Sequence, residues 1–222
     1  ITAGEIIFDG VDLAKLSDAE RRKFWGNRMT YVAQSAAASF NPAHRLIVQT
    51  TASTIRSGLK DRSEAYRDAC ILYDALNLPD PEHIGDRYPH QVSGGQLQRV
   101  MTAMAMSPRP DMIVFDEPTT ALDVTTQVEV LSSMRKIVEE FNTAAIYITH
   151  DLAVVAQMSD FIKVLRYGYE VEEAPTRQML SDPKESYTKS LWSVRALEKK
   201  EQEIGQSILS IKGIDAAYGT SK

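Results

Sequence analysis

The stretch DMIVFDEPTTALDV, residues 111–124, joins a short apolar run to an acidic pair and then to the start of a helical pattern. The run from Met112 to Phe115 is continuously apolar and short, which is typical of a buried strand. Asp116 and Glu117 follow at its carboxyl end, where adjacent carboxylates repel each other unless a cation or a proton separates their roles. Mg²⁺ would do so, with one carboxylate holding the metal and the other orienting or deprotonating a water. A solvated acidic turn is the alternative from this stretch alone.

Alternating apolar segments after residue 124 predict an α/β fold. The apolar residues at helical spacing are Val128, Leu131, Met134, Val138 and Phe141. Two further strands are predicted over Ala144 to Ile148 and Phe161 to Leu165, with a helix near residues 152–157 between them. This order indicates a parallel sheet that is covered by helices on both faces. Such sheets bind ligands at the carboxyl ends of their strands.

A histidine, His150, ends the predicted strand AAIYITH and should emerge at the same rim as Glu117. An imidazole there can donate to a terminal phosphate oxygen and hold an attacking water in line. A helix cap or an ordinary surface position is the alternative for a histidine at a strand end. The remaining histidines are interpreted as structural, namely His44, His83 and His90.

A serine and two glycines precede a helical pattern in VSGGQLQRV, residues 92–100. The backbone N–H groups of Gly94 and Gly95 and the hydroxyl of Ser93 can donate to an anion, and the helix dipole adds to the attraction. The stretch therefore predicts a phosphate-binding helix N-terminus, with a flexible turn as the alternative. The packing positions of this helix are predicted to be Leu97, Val100, Met101 and Met104.

The amino-terminal region predicts a strand, a turn and a capped helix. Residues 5–8 have strand character and end at an Asp-Gly pair, residues 9–10, which is typical of a turn. Ser17 and Glu20 have the spacing of a capping box, and the helix that they open is predicted to continue through Phe24.

The middle of the chain is predicted to be mostly helical. A second strand over Met29 to Val32 leads into Gln34. Apolar residues then recur at helical spacing between residues 63 and 77, and Pro79 and Pro81 end that helix.

Composition limits the classes of function. The 222 residues are 43% apolar and carry a formal net charge of −5, from 25 Lys and Arg against 30 Asp and Glu. We therefore expect a globular domain without a general attraction to nucleic acid, and no nucleic acid partner. The single cysteine, Cys70, excludes a disulfide framework or a four-thiolate metal site within the chain and fits a reducing, cytosolic setting. No apolar stretch is long enough to span a bilayer.

Five motifs in order resemble those of the nucleotide-binding subunits of ABC transporters, and the resemblance covers residues 1–194. VSGGQ resembles the signature motif, MIVFDEP the Walker B segment, ALD at 121–123 the D-loop, Ile-Thr-His at 148–150 the H-loop, and Gln34 the Q-loop. Their joint order makes the resemblance specific. It implies a P-loop NTPase-like parallel sheet flanked by helices, with an inserted α-helical subdomain over about 48–106 and a small amino-terminal antiparallel β portion.

The resemblance implies ATP and Mg²⁺ as cofactors and assigns roles at the sheet rim. Gln34 would contact Mg²⁺ and the attacking water, and Asp116 would hold the metal through water. Glu117 would be the general base, and His150 would sense the γ-phosphate.

The signature residues would serve a different nucleotide. The resemblance implies that Ser93, Gly94, Gly95 and Gln96 press on the γ-phosphate of an ATP bound to the opposite nucleotide-binding domain. Asp123 would bridge the two halves.

Several stretches resemble the oligopeptide, dipeptide and nickel importer group, namely SFNP at 39–42, YPHQVSGGQ, EPTTALDV and DPKESYTKSLWS. Two positions depart from that group and bear on the substrate: Glu185-Ser186 replaces His-Pro, and Ser35-Ala36 replaces Asp-Pro after Gln34. The resemblance implies an ATP-hydrolysing subunit that couples hydrolysis to the uptake of peptides or similar small solutes. A soluble ABC-class ATPase unconnected with transport and a non-catalytic truncated fragment are the alternatives.

The implied partners are integral membrane permease subunits, a second nucleotide-binding domain and, indirectly, a periplasmic or extracellular solute-binding protein. The implied location is cytoplasmic, peripheral on the inner face of the cell membrane.

One element of the family is missing from the chain. A P-loop requires Gly-x-x-x-x-Gly-Lys-Ser/Thr, and the pair Gly-Lys occurs nowhere in the 222 residues. In the family this loop lies shortly before the strand that AGEIIFDG resembles, so we expect truncation at the N-terminus and a chain that is inactive alone. Residues 195–206 are highly charged and are predicted to be a linker. Residues 207–222 resemble the opening strand of a second nucleotide-binding domain, with Tyr218 at the adenine-stacking position, which implies a slice of a tandem ATPase.

Overall fold

The computed structural model describes residues 4–120, 122–193, 210, 212 and 213. The linker predicted over 195–206 and Tyr218 lie outside these residues. Of the strand predicted within residues 207–222, only residues 210, 212 and 213 are described.

The described residues form short strands and α-helices of 4 to 17 residues. The strands are β1 (Ile7–Phe8), β2 (Val11–Asp12), β3 (Met29–Val32), β4 (Met112–Asp116), β5 (Ala144–Ile148), β6 (Phe161–Arg166) and β7 (Tyr169–Pro175). The helices are α1 (Asp18–Arg21), α2 (Ala36–Ser39), α3 (Leu46–Arg56), α4 (Arg62–Ala75), α5 (Gly94–Met106), α6 (Val124–Glu140), α7 (Leu152–Met158), α8 (Thr176–Ser181) and α9 (Ser186–Ser193).

A three-stranded parallel sheet in the order β3-β4-β5 carries the candidate site, which confirms the predicted α/β class. The register aligns Tyr31, Val114 and Ile146, so these side chains share one face. On the other face Val32 and Phe115 are fully buried in a single core with apolar side chains of α5 and α6. The sheet is therefore anchored through one face.

The prediction that helices cover both faces of the sheet is wrong for the described part of the chain. Tyr31, Ile146 and Ile148 on one face are 55%, 47% and 49% exposed. The apolar run of β5 looks buried on both sides in the sequence. Its side chains instead alternate between half-buried and exposed, because the described core packs against one face only.

The prediction that Phe161 to Leu165 adds a strand to the parallel sheet is also wrong. Among the described strands, β6 pairs only with β7, and the pairing is antiparallel. Tyr167 and Gly168 between them have φ of 52° and 82°. Two successive left-handed residues form the tight turn that suits a two-residue hairpin. The chain therefore reverses at once, and β7 becomes the neighbour of β6.

The amino-terminal elements are shorter than predicted. β1 and β2 form a small antiparallel hairpin around the predicted turn at residues 9–10. The capping box of Ser17 and Glu20 is confirmed. Helix α1 nevertheless ends at Arg21 rather than at Phe24, because the N–H groups of Lys23 and Phe24 bond carbonyls three residues back and tighten the last turn.

Helices α3, α4 and α5 follow β3 and precede β4 along the chain, and they pack against one another. The helix predicted over 63–77 is confirmed as α4. Tyr73 of α4 is fully buried, and its hydroxyl lies 2.7 Å from Thr50 Oγ1 of α3. Burial raises the pKa of Tyr73, so the phenol stays neutral and hydrogen-bonded. A separate helical subdomain over about 48–106 stays a prediction.

Arg99 ties the signature helix α5 to the carboxyl end of α4. Its guanidinium donates to the carbonyl oxygens of Asn77 at 2.7 Å and Leu76 at 3.3 Å. A third bond, at 3.4 Å, goes to Gly95 O within α5. Carbonyls at a helix end lack intrahelical donors, so one arginine satisfies groups that would otherwise need water or other caps.

We expect Arg99→Met to lower the free energy of unfolding by about 1–2 kcal/mol, because the carbonyl oxygens of Leu76 and Asn77 lose a charged donor. Urea unfolding followed by circular dichroism measures the change. Arg45→Met is the control, because Arg45 pairs with Asp86 at 3.2 Å with both side chains more than half exposed. The control should change stability by less than about 0.5 kcal/mol. Equal losses in the two variants would contradict the role given to Arg99.

Candidate functional site

Three predicted site residues meet at the carboxyl ends of the parallel strands. Glu117 follows β4, and its Oε1 accepts a hydrogen bond from His150 Nδ1 at 2.8 Å. An ionised carboxylate has no proton to give, so the imidazole is the donor. Gln34, two residues after β3, donates from Nε2 to Glu117 Oε2 at 2.8 Å. The structure thus brings Gln34, Glu117 and His150 together at one rim.

The backbone of Glu117 is held in an uncommon conformation. Its φ is 45°, in the left-handed region that residues with a Cβ rarely adopt. The Glu117 N–H donates to Ile148 O of β5 at 2.8 Å. Thr120 Oγ1 donates to the carboxylate at 3.1 Å. Such a conformation costs about 1–3 kcal/mol and persists only where surrounding contacts determine it, as happens at functional sites.

The pKa of Glu117 lies below its ordinary value of 4.5. The largest cause is the hydrogen bond from His150, followed by the bond from Thr120, and Gln34 contributes less. Each donor stabilises the ionised form. The carboxylate is therefore charged and able to accept a proton throughout the physiological pH range.

We expect His150→Ala to raise the pKa of Glu117 towards 4.5, and Gln34→Leu to raise it less. Carboxyl ¹³C NMR titration measures both shifts. A depressed folded-state pKa stabilises the fold above the unfolded value, and that contribution disappears as the pH falls through the folded value. The pH dependence of stability below about 4.5 should therefore weaken in His150→Ala. An unchanged or lower pKa of Glu117 would contradict the assignment.

Asp116 has a partner that the sequence analysis missed. The hydroxyl of Tyr31 donates to Asp116 Oδ2 at 2.5 Å, and this bond raises the pKa of Tyr31. The alternation of side chains along a strand could have indicated this contact. Tyr31 aligns with Val114, and Val114 lies on the same sheet face as Asp116. Tyr31 therefore bonds only Oδ2 of the Asp116 carboxylate and not Oδ1.

The residues at the rim fit Mg²⁺ held partly by a bound phosphate. The carboxylate of Asp116 and the amide oxygen of Gln34 are the hard oxygen ligands that Mg²⁺ prefers. Within the described residues there is no group of three or more His, Cys, Asp or Glu side chains that could hold a metal ion. Mg²⁺ commonly binds through one or two carboxylates and takes its other ligands from phosphate and water.

The signature residues form a well-capped helix start. Ser93 Oγ accepts from Gln96 N at 3.3 Å, and Gln96 Oε1 accepts from Ser93 N at 3.0 Å. The N–H groups of Gly94 and Gly95 lie in the first turn, where no intrahelical acceptor exists. Gly94 is exposed whereas Gly95 is buried. The donors that can reach an anion are therefore those around Gly94.

The close packing of α5 on α6 requires a glycine at position 95, which the sequence did not indicate. A Cβ at Gly95 would fall well inside 3.0 Å of Thr126 Cγ2 on α6, whereas a Cβ at Gly94 would make ordinary contact with Leu122 at 3.5 Å. Asp123 caps α6 by accepting from Thr126 N at 3.0 Å. The signature and D-loop residues thus lie side by side. Leu122 of the D-loop donates from its N–H to Thr119 O at 3.1 Å, which joins the D-loop to the segment that follows Glu117.

Comparisons with known proteins agree with this arrangement. A family model described as ABC transporter matches residues 1–120. The oligopeptide transport ATP-binding protein OppD of Bacillus subtilis is 36% identical over 201 residues, which cover 90% of this chain and 56% of OppD. The metal-staphylopine import system ATP-binding protein CntD of Staphylococcus aureus is 37% identical over 193 residues, covering 86% of this chain and 71% of CntD.

A solved dimeric structure of the ATP-binding cassette MJ0796, bound to ADP and Pi, has a TM-score of 0.69 at 27% identity and covers 79% of this chain and 75% of that chain. The chain spans little more than half the length of OppD. No helix in the described ranges combines the length and the apolar character needed to cross a membrane. The family match extends over more than half of the 222 residues and includes the signature and Walker B segments. The chain therefore belongs to the ABC transporter family.

Proposed function

We propose that this chain forms part of the ATP-hydrolysing subunit of an importer for peptides or similar small solutes. The observation that carries the proposal is the contact of Glu117 with His150 and Gln34 at one rim of the sheet. An ionised carboxylate beside an imidazole and an amide supplies the residue types that phosphoanhydride hydrolysis needs. The importer class is supported by relatives such as OppD, whose name assigns it to oligopeptide transport.

Glu117 acts as the general base and takes a proton from the attacking water. His150 donates to the terminal phosphate of bound ATP, and Gln34 orients the water. Asp116 and Gln34 would hold Mg²⁺, and the ion would supply positive charge against the transferring phosphoryl group. Tyr31 fixes one oxygen of Asp116, so the other keeps a constant direction.

ATP binding requires a P-loop from another segment, because the chain has no Gly-Lys pair. The exposed helix start at Ser93, Gly94 and Gln96 contacts the γ-phosphate of ATP held by a second nucleotide-binding domain. Asp123, beside it, contacts the same partner domain. Tyr218, in the stretch that resembles the opening strand of a second nucleotide-binding domain, supplies a ring that stacks on the adenine bound there.

The proposal is tested on the subunit together with its P-loop segment. A non-hydrolysable ATP analogue is expected to bind and to convert monomers into dimers, measured by equilibrium dialysis and light scattering. Gly94→Arg places a bulky side chain at the exposed start of α5 and should abolish dimerisation while leaving nucleotide binding intact. Asp74→Arg, at an exposed position of α4, should leave both intact. Failure to associate with ATP despite an intact P-loop would refute the proposed function.

A groove beside the middle helices is our proposed contact with the permease. It has a volume of about 1030 Å³ and lies between α3 and the residues that precede β3. Its lining combines the basic side chains of Arg22, Lys23 and Arg56 with the apolar Trp25 and Met29. A permease segment with an apolar face and acidic flanks complements this lining.

We expect Trp25→Ala to weaken association with the permease roughly 30-fold, because Trp25 is 53% exposed in the groove and large aromatic anchors dominate interfaces. Co-purification and titration of detergent-solubilised permease measure the loss. Ile71→Ala is the matched control, since Ile71 is 56% exposed on α4 and does not line this groove. Equal affinity of both variants and the parent chain would place the permease elsewhere.

A further inference from the structure

One side chain, Gln127 of α6, connects the two loops that carry Glu117 and His150. Its Nε2 donates to Thr119 Oγ1 at 3.1 Å and to Asp151 Oδ2 at 3.3 Å. Thr119 lies two residues after Glu117, and Asp151 directly follows His150. A single amide group therefore spans both loops on the side of the sheet rim where α6 begins.

The position of the His150 ring depends on the loop that carries it. The His150 side chain is 72% exposed, so little packing holds the ring against Glu117. The Glu117 N–H bond to Ile148 O fixes the loop only as far as the end of β5. Beyond Ile148, the Gln127 amide reaches this loop by donating to the Asp151 carboxylate.

Gln127 also holds the loop that follows Glu117, through a hydrogen bond to Thr119. Thr119 is only 6% exposed, and its hydroxyl accepts the Gln127 amide. The neighbouring Thr120 reaches back to the Glu117 carboxylate at 3.1 Å. The Gln127 N–H in turn donates to Asp123 O at 2.8 Å, so the bridging side chain lies one helical turn after the D-loop.

We propose that Gln127 is a positioning residue that sets the distance between the His150 imidazole and the Glu117 carboxylate. The inference rests on the proposed ATPase function and adds to it a residue that touches neither nucleotide nor reacting atoms. The D-loop lies within one turn of this side chain, so a displacement of Asp123 by a partner domain reaches both loops through Gln127.

The test uses the full 222-residue chain and the imidazole ¹⁵N chemical shifts of its histidines. Gln127→Leu, of similar size but without the amide, is expected to move the His150 shift to the value seen in Glu117→Ala, where the pairing partner is gone. Gln127→Glu places a carboxylate against the Asp151 carboxylate, and it should move the His150 shift to that same value. His83 is the internal control, because its Nδ1 lies 2.8 Å from Asp80 three residues away and should keep its shift.

A swap of donor and acceptor decides the case even if a single variant folds poorly. In Gln127→Glu combined with Asp151→Asn, the asparagine amide donates to the new carboxylate, and the His150 shift should return towards that of the parent chain. A His150 shift that is unchanged in both single variants, or that the double variant fails to restore, overturns the proposal. These shifts need no ATP, so a parent subunit without ATPase activity would refute the proposed function and leave this result standing.

Discussion

Glu117→Gln is expected to reduce ATP turnover by about 10²–10⁴-fold in the assembled importer, the range typical for removing a general base. Glutamine keeps the size of the side chain and an oxygen that accepts from His150, but it cannot take a proton from water. Nucleotide affinity should change little, because the substitution keeps the shape of the side chain and removes only its ability to take a proton. Phosphate release at saturating ATP and equilibrium dialysis separate the loss in kcat from the unchanged binding.

Glu139→Gln is the matched control for this prediction. Glu139 is an exposed glutamate on α6 whose carboxylate pairs with Arg135 at 2.8 Å, far along the helix from the sheet rim. It loses the same charge, so any effect of net charge on nucleotide binding appears in both variants. Retention of more than about a tenth of the turnover by Glu117→Gln would show that another group accepts the proton.

The rim was predictable because it follows from strand ends. Each residue of the set follows directly or shortly after a short apolar run, and parallel strands place such residues at one edge. Strand ends alone predict that Glu117 and His150 lie at one rim, and the family resemblance adds Gln34. The 2.8 Å contacts that join the three are consistent with this placement.

Contacts made by side chains from elsewhere could not be predicted in the same way. Thr120 lies in a turn and Gln127 in the first turn of α6, and nothing in their spacing distinguishes a solvated position from a hydrogen bond to Glu117 or Thr119. The partner of β6 was missed for a different reason. The sequence of a short apolar strand does not indicate which strand pairs with it. The pairing of β6 is decided by the tight turn that follows it, at residues 167–168.

Gly95→Ala is expected to lower the free energy of unfolding by about 2–3 kcal/mol, because its Cβ would overlap Thr126 Cγ2 where α5 packs on α6. Alanine favours a helix over glycine by about 1 kcal/mol, so the intrinsic preference opposes the expected sign. A measured loss therefore reports the clash between the helices. Urea unfolding gives the free energy, and ATP-dependent dimerisation of the P-loop-containing subunit reports whether the start of α5 has moved.

Two further variants separate packing from phosphate contact. Gly94→Ala carries the same change one residue earlier, where the added Cβ meets only Leu122 at 3.5 Å, and should be neutral or stabilising by up to about 1 kcal/mol. Thr126→Ser removes the overlapping methyl group and keeps the backbone N–H that Asp123 caps. Adding it to Gly95→Ala should therefore restore most of the lost stability. If the double variant stays as unstable as Gly95→Ala, the loss does not come from the overlap with Thr126, and the packing role given to this glycine is wrong.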